Sequence, residues 1–363
     1  GTITVVAAQS DKTGTAGQVE LDADGAASSI VVNDEVTTTG GAINILADDD
    51  AIFSADGDVT SAGGNVTVSG DANAGGSGTD GALTMADGAV INAGSGTVDM
   101  DADENVTLGG VTTTNAGATA VTVTSSSGGV IDGGDTDTDI TANSGTVVID
   151  AVTGVGSTNA IDTQIDTLDL DNTTSGNVDI NETDALDINQ LDQDAAAGTV
   201  NVDAGGTITV VDAQSGVTGL AGQVELDANG IDSNIAVNAS VTSTSGDINV
   251  LADNDVTFDA SSDVTSTSGN VTVTADVDTA ADSGGTDQGA LTMADGAVIN
   301  AGSGTVDMDA NEDVTLGGVS TTNAGGTAVT VTSSSGGVVD GGDTDTDITA
   351  NSGTVVIDAV TGV

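Results

Sequence analysis

Two short runs of alternating aspartates are the residues whose chemistry is most readily interpreted. The runs are Asp135, Asp137 and Asp139, and Asp343, Asp345 and Asp347, each preceded by two glycines. Alternate side chains of a β-strand point to the same side, so each run would present three carboxylates together. Carboxylate oxygens suit Ca²⁺, which binds about six to eight oxygen ligands. The sequence therefore predicts a structural calcium site at each run, and the alternative is an acidic edge neutralised by diffuse cations.

No arrangement of residues predicts catalysis. The chain has no His or Cys, and Lys12 is its one basic residue, so the base and electrophile of polysaccharide lyases are lacking. Hydrolysis by paired carboxylates requires two acids at a defined separation, whereas the acids here are spread along the whole chain. We therefore predict that the protein is not an enzyme and has no catalytic or cofactor-binding residues.

The charge of the chain restricts its partners. Its 57 acidic residues and one basic residue give a net charge of −56. Such a chain has no basic surface for phosphate, and an anionic membrane would repel it. It also lacks an apolar run of the about 20 residues needed to cross a bilayer. We predict no nucleic-acid partner, no membrane insertion and a setting of high ionic strength, where repulsion between acids is screened.

A long internal repeat contains both aspartate runs. The segment that begins at Gly1 returns at Gly206, and residues 97–155 match residues 305–363 except at five positions. A long repeat of this fidelity is typical of an array. We predict a first long unit, residues 1–205, and a second, incomplete unit, residues 206–363, within one continuous solenoid without a domain boundary. The differing pairs are Asp103/Asn311, Asn105/Asp313, Thr112/Ser320, Ala118/Gly326 and Ile131/Val339.

A shorter repeat lies inside each long unit. Gly, one polar residue and then Val-x-Val or an equivalent recur about every 22 to 27 residues, as at Val66-x-Val68. Apolar and polar alternation is typical of a half-buried strand, and the Gly-rich dipeptides between strands are typical of turns. We predict an all-β, right-handed parallel β-helix with three short strands per coil and roughly eight coils per long unit. The longer steps, residues 65–96, 146–176 and 270–304, are predicted to carry loops, including residues 70–78 and 275–285.

Residues 96–109 show the pattern best, because Val98, Met100 and Ala102 are followed by Val106-Thr-Leu108. This pattern resembles the degenerate repeats of filamentous haemagglutinin-like adhesins and other giant bacterial surface proteins. The resemblance covers nearly the whole chain and is one of composition and period. It implies a β-helix, a location at the cell surface, and repeats without catalytic residues.

These observations predict a structural segment of a giant, secreted, acidic β-solenoid in an extracellular fibre, adhesin stalk or biofilm matrix filament. Its partners would be further copies of itself, joined end to end or laterally, and surface glycans. One alternative is a Ca²⁺-dependent module that binds a glycan or another partner through its loops. A second is an ice-binding surface of outward threonines such as Thr112 and Thr114, with Thr113 facing inward.

Overall fold

The computed structural model of the chain is all-β. It describes residues 1–6, 17–25, 27–72, 81–134, 136–211, 216–219, 222–277, 289–342 and 344–363. Parallel strands stack in the turns of a β-solenoid, about 14 in all and with three strands per coil, which confirms the predicted fold class. These described ranges include no helix that is long and apolar enough to cross a membrane.

The chain divides into two compact units, Gly1–Asn181 and Glu182–Val363. The strands of the first unit are β1 (Ile3–Val5), β2 (Val19–Ala23), β3 (Ile30–Val32), β4 (Val36–Thr38), β5 (Ile43–Ala47), β6 (Ala51–Phe53), β7 (Val59–Ser61), β8 (Val66–Gly70), β9 (Leu83–Met85), β10 (Val90–Asn92), β11 (Val98–Ala102), β12 (Val106–Leu108), β13 (Gly110–Thr112), β14 (Val121–Ser125), β15 (Val130–Asp132), β16 (Ile140–Ala151) and β17 (Ile161–Asn172). Strand β18 (Val178–Glu182) lies at the division.

The second unit repeats this order of short strands. Its strands are β19 (Leu186–Gln193), β20 (Val200–Ala204), β21 (Ile208–Val210), β22 (Gly216–Gly219), β23 (Val224–Ala228), β24 (Ile235–Val237), β25 (Val241–Ser243), β26 (Ile248–Ala252), β27 (Val256–Phe258), β28 (Asp263–Ser266), β29 (Val271–Ala275), β30 (Leu291–Met293), β31 (Val298–Asn300), β32 (Val306–Ala310), β33 (Val314–Leu316), β34 (Gly318–Thr321), β35 (Val329–Ser333), β36 (Val338–Asp340), β37 (Ile348–Ala350) and β38 (Val355–Ala359). The predicted long units, residues 1–205 and 206–363, are repeats of the sequence and differ from these structural units in their boundary. That the two long units continue as one solenoid stays a prediction.

Each strand of the first unit pairs in parallel with the equivalent strand of the neighbouring coil. Three faces result: face A (β2, β5, β8, β11 and β14), face B (β1, β3, β6, β9, β12 and β15) and face C (β4, β7, β10 and β13). Strand β16 continues two faces, because Ile140 pairs with Val111 on face C and Val147 pairs with Val121 on face A. Strand β17 then covers both parts of β16.

The second unit has the same three faces. Face A contains β20, β23, β26, β29, β32, β35 and β38, face B contains β21, β24, β27, β30, β33 and β36, and face C contains β22, β25, β28, β31, β34 and β37. The register of the two copies agrees, since Val98 pairs with Val66 and Val306 pairs with Val271. Copied sequence therefore adopts copied pairing.

Alternate side chains of each strand fill the interior of the coils. In β5, Ile43, Ile45 and Ala47 are buried, and the residues between them are half-buried. Ile43 lies beside Val66 of the next coil, so equivalent apolar residues stack along the solenoid. Full burial of such a side chain contributes about 1.5–3 kcal/mol. The many buried aliphatic side chains therefore supply the stability that aromatic residues provide in other proteins.

Close stacking of the coils explains the glycine that precedes each Val-x-Val. A Cβ added to Gly64 would overlap the carbonyl oxygen of Gly41, and a Cβ added to Gly96 would overlap that of Gly64. In the second unit, Gly246 is placed in the same way against Gly222. Only glycine lets neighbouring backbones approach this closely, so the recurring glycine fixes one corner of every such coil.

Inward hydroxyl groups satisfy the backbone at this corner. Ser61 Oγ donates to the carbonyl of Gly41 at 3.0 Å and accepts from the N–H of Gly64 at 2.8 Å. Thr113 is buried, as predicted, and donates to the carbonyl of Gly96 at 2.6 Å. These bonds supply partners to polar groups that would otherwise be buried without them.

The structure corrects one predicted coil. Residues 146–176 were expected to contain a loop, but β17 pairs there with β16, with Leu168 beside Val147 and Leu170 beside Ile149. The prediction was wrong because the register shifts between Ala142 and Thr146, so the apolar residues of β17 do not follow the usual spacing. In the other two predicted loops, residues 73–78 and 278–285 lie outside the described residues.

Candidate functional site

Three aspartates from neighbouring coils of the first unit form a cluster, here called the aspartate triad: Asp132, Asp139 and Asp162. Asp132 ends β15, Asp139 directly precedes β16, and Asp162 is the second residue of β17. One carboxylate oxygen of each lies within 4.8 Å of the other two. Asp132 is 5% exposed and Asp139 is 2% exposed, and Asp162 is half-buried. The stacking of coils therefore gathers acids that are distant in sequence.

Hydrogen bonds hold the triad in place. The N–H of Gly134 donates to Asp132 Oδ1 at 2.8 Å, and a positive φ of 99° at Gly134 allows this tight turn. Asn159 Nδ2 donates to Asp132 Oδ2. The N–H of Asp162 donates to Asp139 Oδ2 at 2.9 Å. Two members of the triad thus accept hydrogen bonds from residues of the 156–181 segment.

The triad supplies part of the ligand set of a hard cation. Asp162 Oδ1 accepts from Asn181 Nδ2 at 2.6 Å, and a carboxylate oxygen can accept more than one interaction. Two oxygens bound to one Ca²⁺ at about 2.4 Å lie no more than about 4.8 Å apart. Three carboxylates supply about three to six of the six to eight oxygens required, and water or carbonyl groups supply the rest. Without a cation or a proton between them, clustered carboxylates repel one another.

The first predicted run of aspartates contributes one member to the triad. Asp139 belongs to it, Asp137 is exposed, and Asp135 lies outside the described residues. Residues 136–139 form bends that lead into β16, so this run does not lie along a strand. The sequence reasoning missed Asp132 and Asp162. Two sequence features indicate these residues. A Gly-Gly turn directly follows Asp132, and Asp162 lies in the alternating apolar pattern of β17.

The second unit contains two of the three triad positions. Asp340 and Asp347 are equivalent to the first two members, and the N–H of Gly342 donates to Asp340 Oδ1 at 2.7 Å. The counterpart of Asp162 would be position 370, which is beyond the 363 residues of the sequence. Asp340 is exposed here, whereas its counterpart in the first unit is buried.

The second predicted run of aspartates borders a groove of the second unit. Asp345 and Asp347 line this groove together with Asp295, which is in the turn before β31. Asp343 lies outside the described residues. The structure thus brings two of the three predicted residues to one surface, and calcium binding there stays a prediction.

Acidic side chains also stack on the outer side of face A. Asp203 of β20 pairs in register with Asp227 of β23. Burial, together with the neighbouring charges of Asp203 and Glu225, raises the pKa of Asp227 to about 6. In the first unit, burial and neighbouring acids, Asp99 first, raise the pKa of Asp101. The stacked acids therefore repel one another when ionised, and a proton at mildly acidic pH relieves part of this repulsion.

Hydroxyl side chains form rows on the outer side of face C. In the second unit, Thr218, Thr242 and Thr265 are in register on successive strands and border a shallow groove. Asn300 interrupts this row in the second unit, just as Asn92 interrupts the row of the first unit. The predicted outward placement of Thr112 and Thr114 is confirmed. Ice binding by such rows stays a prediction.

The chain has no match among protein-family models, curated proteins or solved structures. The structure supports a repetitive β-helical protein, and no comparison links it to filamentous haemagglutinin-like repeats. Membership of that family stays a prediction.

Proposed function

We propose that the chain is a structural segment of a giant, secreted, acidic β-solenoid that forms an extracellular fibre, adhesin stalk or matrix filament. The observation that best supports this role is the agreement of pairing in the two copies, as in Val98 beside Val66 and Val306 beside Val271. An element that keeps its register when copied can be repeated without new kinds of contact. Length is then the property that copying changes.

The distribution of side chains supports the same role. The interior is mainly apolar, and the outer side of the coils carries acids, asparagines and threonines. A difference between the copies such as Thr112/Ser320 lies on the outer side of face C, where both residues are half-buried. Such changes leave the core intact, so copies that diverge at the surface still stack.

The test is to locate the native material and measure its periodicity. Antibodies against the chain should label the outside of intact source cells or filaments released from them, and protease added outside the cells should remove the label. Labelled filaments should give a diffraction spacing of about 4.8 Å along the axis and a longer repeat of roughly 38 Å, the height of eight coils. Label confined to the cell interior would contradict the proposal.

A second proposed activity is binding of Ca²⁺ by the aspartate triad. The supporting observation is that two buried aspartates and one half-buried aspartate place their oxygens within 4.8 Å of one another. Asp132 and Asp139 would be ligands from one coil and Asp162 a ligand from the next. The cation would then join neighbouring coils and remove the repulsion between their carboxylates.

Calorimetric titration of the whole chain with Ca²⁺ tests this activity. Diffuse binding to the many acids should be weak, and the triad should add a tighter class of site. Asp139→Asn should remove the tighter class, because the amide keeps the size of the side chain and loses its charge. Asp137→Asn removes an equal charge from the neighbouring exposed turn and should preserve that class. Equal titrations of the two variants would show that binding is only diffuse.

A further inference from the structure

One dipeptide of the second unit joins an exposed asparagine to a glycine that the fold requires. Asn229 directly follows β23 and is exposed, and Gly230 is the next residue. A Cβ added to Gly230 would lie 1.9 Å from the carbonyl oxygen of Gly205 in the neighbouring coil. Stacking of the coils therefore requires glycine at position 230. The pair is also the one Asn-Gly dipeptide of the sequence.

An Asn-Gly dipeptide can modify itself without an enzyme. The main-chain nitrogen of the glycine attacks the side-chain carbonyl carbon of the asparagine and closes a five-membered succinimide. The glycine nitrogen loses its proton, and the side-chain nitrogen leaves as ammonia. Water then opens the ring at either carbonyl, which gives aspartate or isoaspartate. Glycine favours the attack because it has no side chain to obstruct it, and asparagine is for this reason a thermolabile residue.

The attacking nitrogen is accessible in this turn. The N–H of Gly230 makes no hydrogen bond to any residue that the structure describes. The carbonyl of Gly230 accepts from the N–H of Ser233 at 2.9 Å and so begins a turn, in which Ile231 is 71% exposed. The reaction therefore does not have to break a main-chain hydrogen bond at the attacking nitrogen.

Another exposed asparagine provides the contrast. Asn270 directly precedes β29, and the next N–H, that of Val271, donates to the carbonyl of Thr305 at 2.9 Å. The nitrogen that would attack Asn270 is thus held in the ladder and carries a branched side chain. Exposure alone therefore does not make the two asparagines equally reactive.

The equivalent turn of the first unit differs in both respects. Its glycine, Gly25, donates its N–H to Asp48 Oδ2. In the second unit the equivalent carboxylate, that of Asp253, instead accepts the N–H of Asp232 at 3.0 Å. The residue before Gly25 is already an aspartate, Asp24. A coil with aspartate at this position is therefore compatible with the fold.

The amide of Asn229 joins two coils. Its Nδ2 donates to Asp203 Oδ1, and Asp203 pairs in register with Asp227. An ionised carboxylate only accepts hydrogen bonds. Aspartate at position 229 would remove this donor and add a charge beside the two stacked acids. Isoaspartate would also lengthen the main chain by one carbon next to the closely packed Gly230.

We propose that Asn229 is a site of spontaneous deamidation, and that its products weaken the contact between the coils of β20 and β23. The reaction consumes one water and releases one ammonia. No step of it regenerates the asparagine, so the converted fraction would record the age of a molecule. The proposal requires neither an extracellular location nor calcium, and the proposed fibre and this reaction can each fail while the other is observed.

Incubation of the folded chain in mildly alkaline water enriched in heavy oxygen tests the reaction. Pepsin then cleaves the chain, because Lys12 is the one site for proteases specific for basic residues. Mass spectrometry should show one heavy oxygen at residue 229. It should enter at least about tenfold faster than at Asn270, which corresponds to about 1.4 kcal/mol less activation free energy. Equal rates at the two asparagines, or conversion of Asn229 only after unfolding in urea, would overturn the proposal.

The effect on stability is tested with three variants. Asn229→Asp should lower the melting temperature by about 2–4 °C at low salt, and by less at high salt, where repulsion is screened. Asn270→Asp adds the same charge where Oδ1 already accepts from the N–H of Thr305 at 3.0 Å, and should change the melting temperature little. During incubation the wild-type melting temperature should fall and that of Asn229→Gln should stay constant. Equal shifts from the two aspartate variants would contradict a specific role of the bond to Asp203.

Discussion

Asp139 and Asp162 exchange two hydrogen bonds between neighbouring coils. The N–H of Asp139 donates to the carbonyl of Asp162 at 2.8 Å, and the N–H of Asp162 donates to the carboxylate of Asp139 at 2.9 Å. A similar bond is made at other turns, where Asp58 Oδ1 accepts from the N–H of Val90 at 2.9 Å. Many acidic side chains thus have a structural role as acceptors for the next coil. Their abundance reflects coil stacking as well as surface charge.

We expect Asp162→Asn to stabilise the chain in the absence of calcium and to remove the stabilisation that calcium gives the wild type. In the presence of a chelator, the substitution removes one of three clustered charges and should raise the melting temperature by about 2–4 °C, which corresponds to about 1 kcal/mol. Added Ca²⁺ should stabilise the wild-type chain and leave the melting temperature of the variant nearly unchanged. Asp166→Asn, an exposed position on the same strand, is the control and should respond to Ca²⁺ like the wild type. A wild-type melting temperature that is insensitive to Ca²⁺ would argue against a cation in the triad.

We expect the free energy of unfolding to decrease as the pH rises from about 4 to about 6, because of Asp227. Its pKa is about 6 in the folded chain and about 3.9 when unfolded, so the folded state binds the proton more tightly. Stability is therefore greatest below the unfolded pKa and decreases as the pH rises through the folded pKa. Solvent screening at this half-buried site reduces the effect to about 1 kcal/mol.

Asp227→Asn should accordingly stabilise the chain by about 1 kcal/mol at pH 7.5 and have little effect at pH 4. Asp187→Asn is the control, since Asp187 is exposed and pairs with Thr209 instead of another acid. Urea unfolding at the two pH values measures the difference. If Asp227→Asn raised the free energy of unfolding equally at pH 4 and pH 7.5, repulsion between the stacked acids would not be the cause of the gain.

Two identical isoleucines separate the effect of coverage from the effect of sequence. Ile149 is fully buried, and its counterpart Ile357 is 36% exposed. Ile149→Ala should reduce the free energy of unfolding by about 3 kcal/mol, as in other buried large-to-small substitutions. Ile357→Ala should cost less than about 1 kcal/mol. Urea unfolding of both variants measures this, and equal losses would show that the two environments do not differ in solution.

Buried hydroxyls should contribute to stability where outward ones do not. Ser266 Oγ donates to the carbonyl of Gly246 at 2.9 Å and accepts from the N–H of Gly269 at 2.8 Å. Ser266→Ala leaves both backbone groups without this partner and should cost about 1–2 kcal/mol. Thr265→Ala changes the adjacent outward side chain and should cost less than about 0.5 kcal/mol. Thermal unfolding of the two variants checks the order, and a larger loss for Thr265→Ala would contradict it.

The fold was predictable because its pattern is local and repeated. Alternation at Val66-x-Val68 and Val98-x-Met100 predicts strands, and the period predicts that they stack. The triad was less accessible because its members come from different coils. The partner of Asp139 depends on the register of β17, and the irregular spacing before Leu168 hides that register in the sequence. Exposure of Ile357 likewise depends on what covers the coil, which its own sequence does not determine.

The recurring glycine gives the sharpest test of coil spacing. A Cβ at Gly246 would overlap the carbonyl oxygen of Gly222, so Gly246→Ala must push two coils apart. We expect a loss of about 3 kcal/mol or more and faster amide exchange in β26, because overlap with backbone cannot be relieved by a rotamer change. Gly326 has no atom within 4 Å of the corresponding position, and the first unit already carries Ala118 there. Gly326→Ala should therefore be neutral or should stabilise by up to about 1 kcal/mol. Equal tolerance of both substitutions would mean that the glycine at the corner reflects turn composition and not the distance between coils.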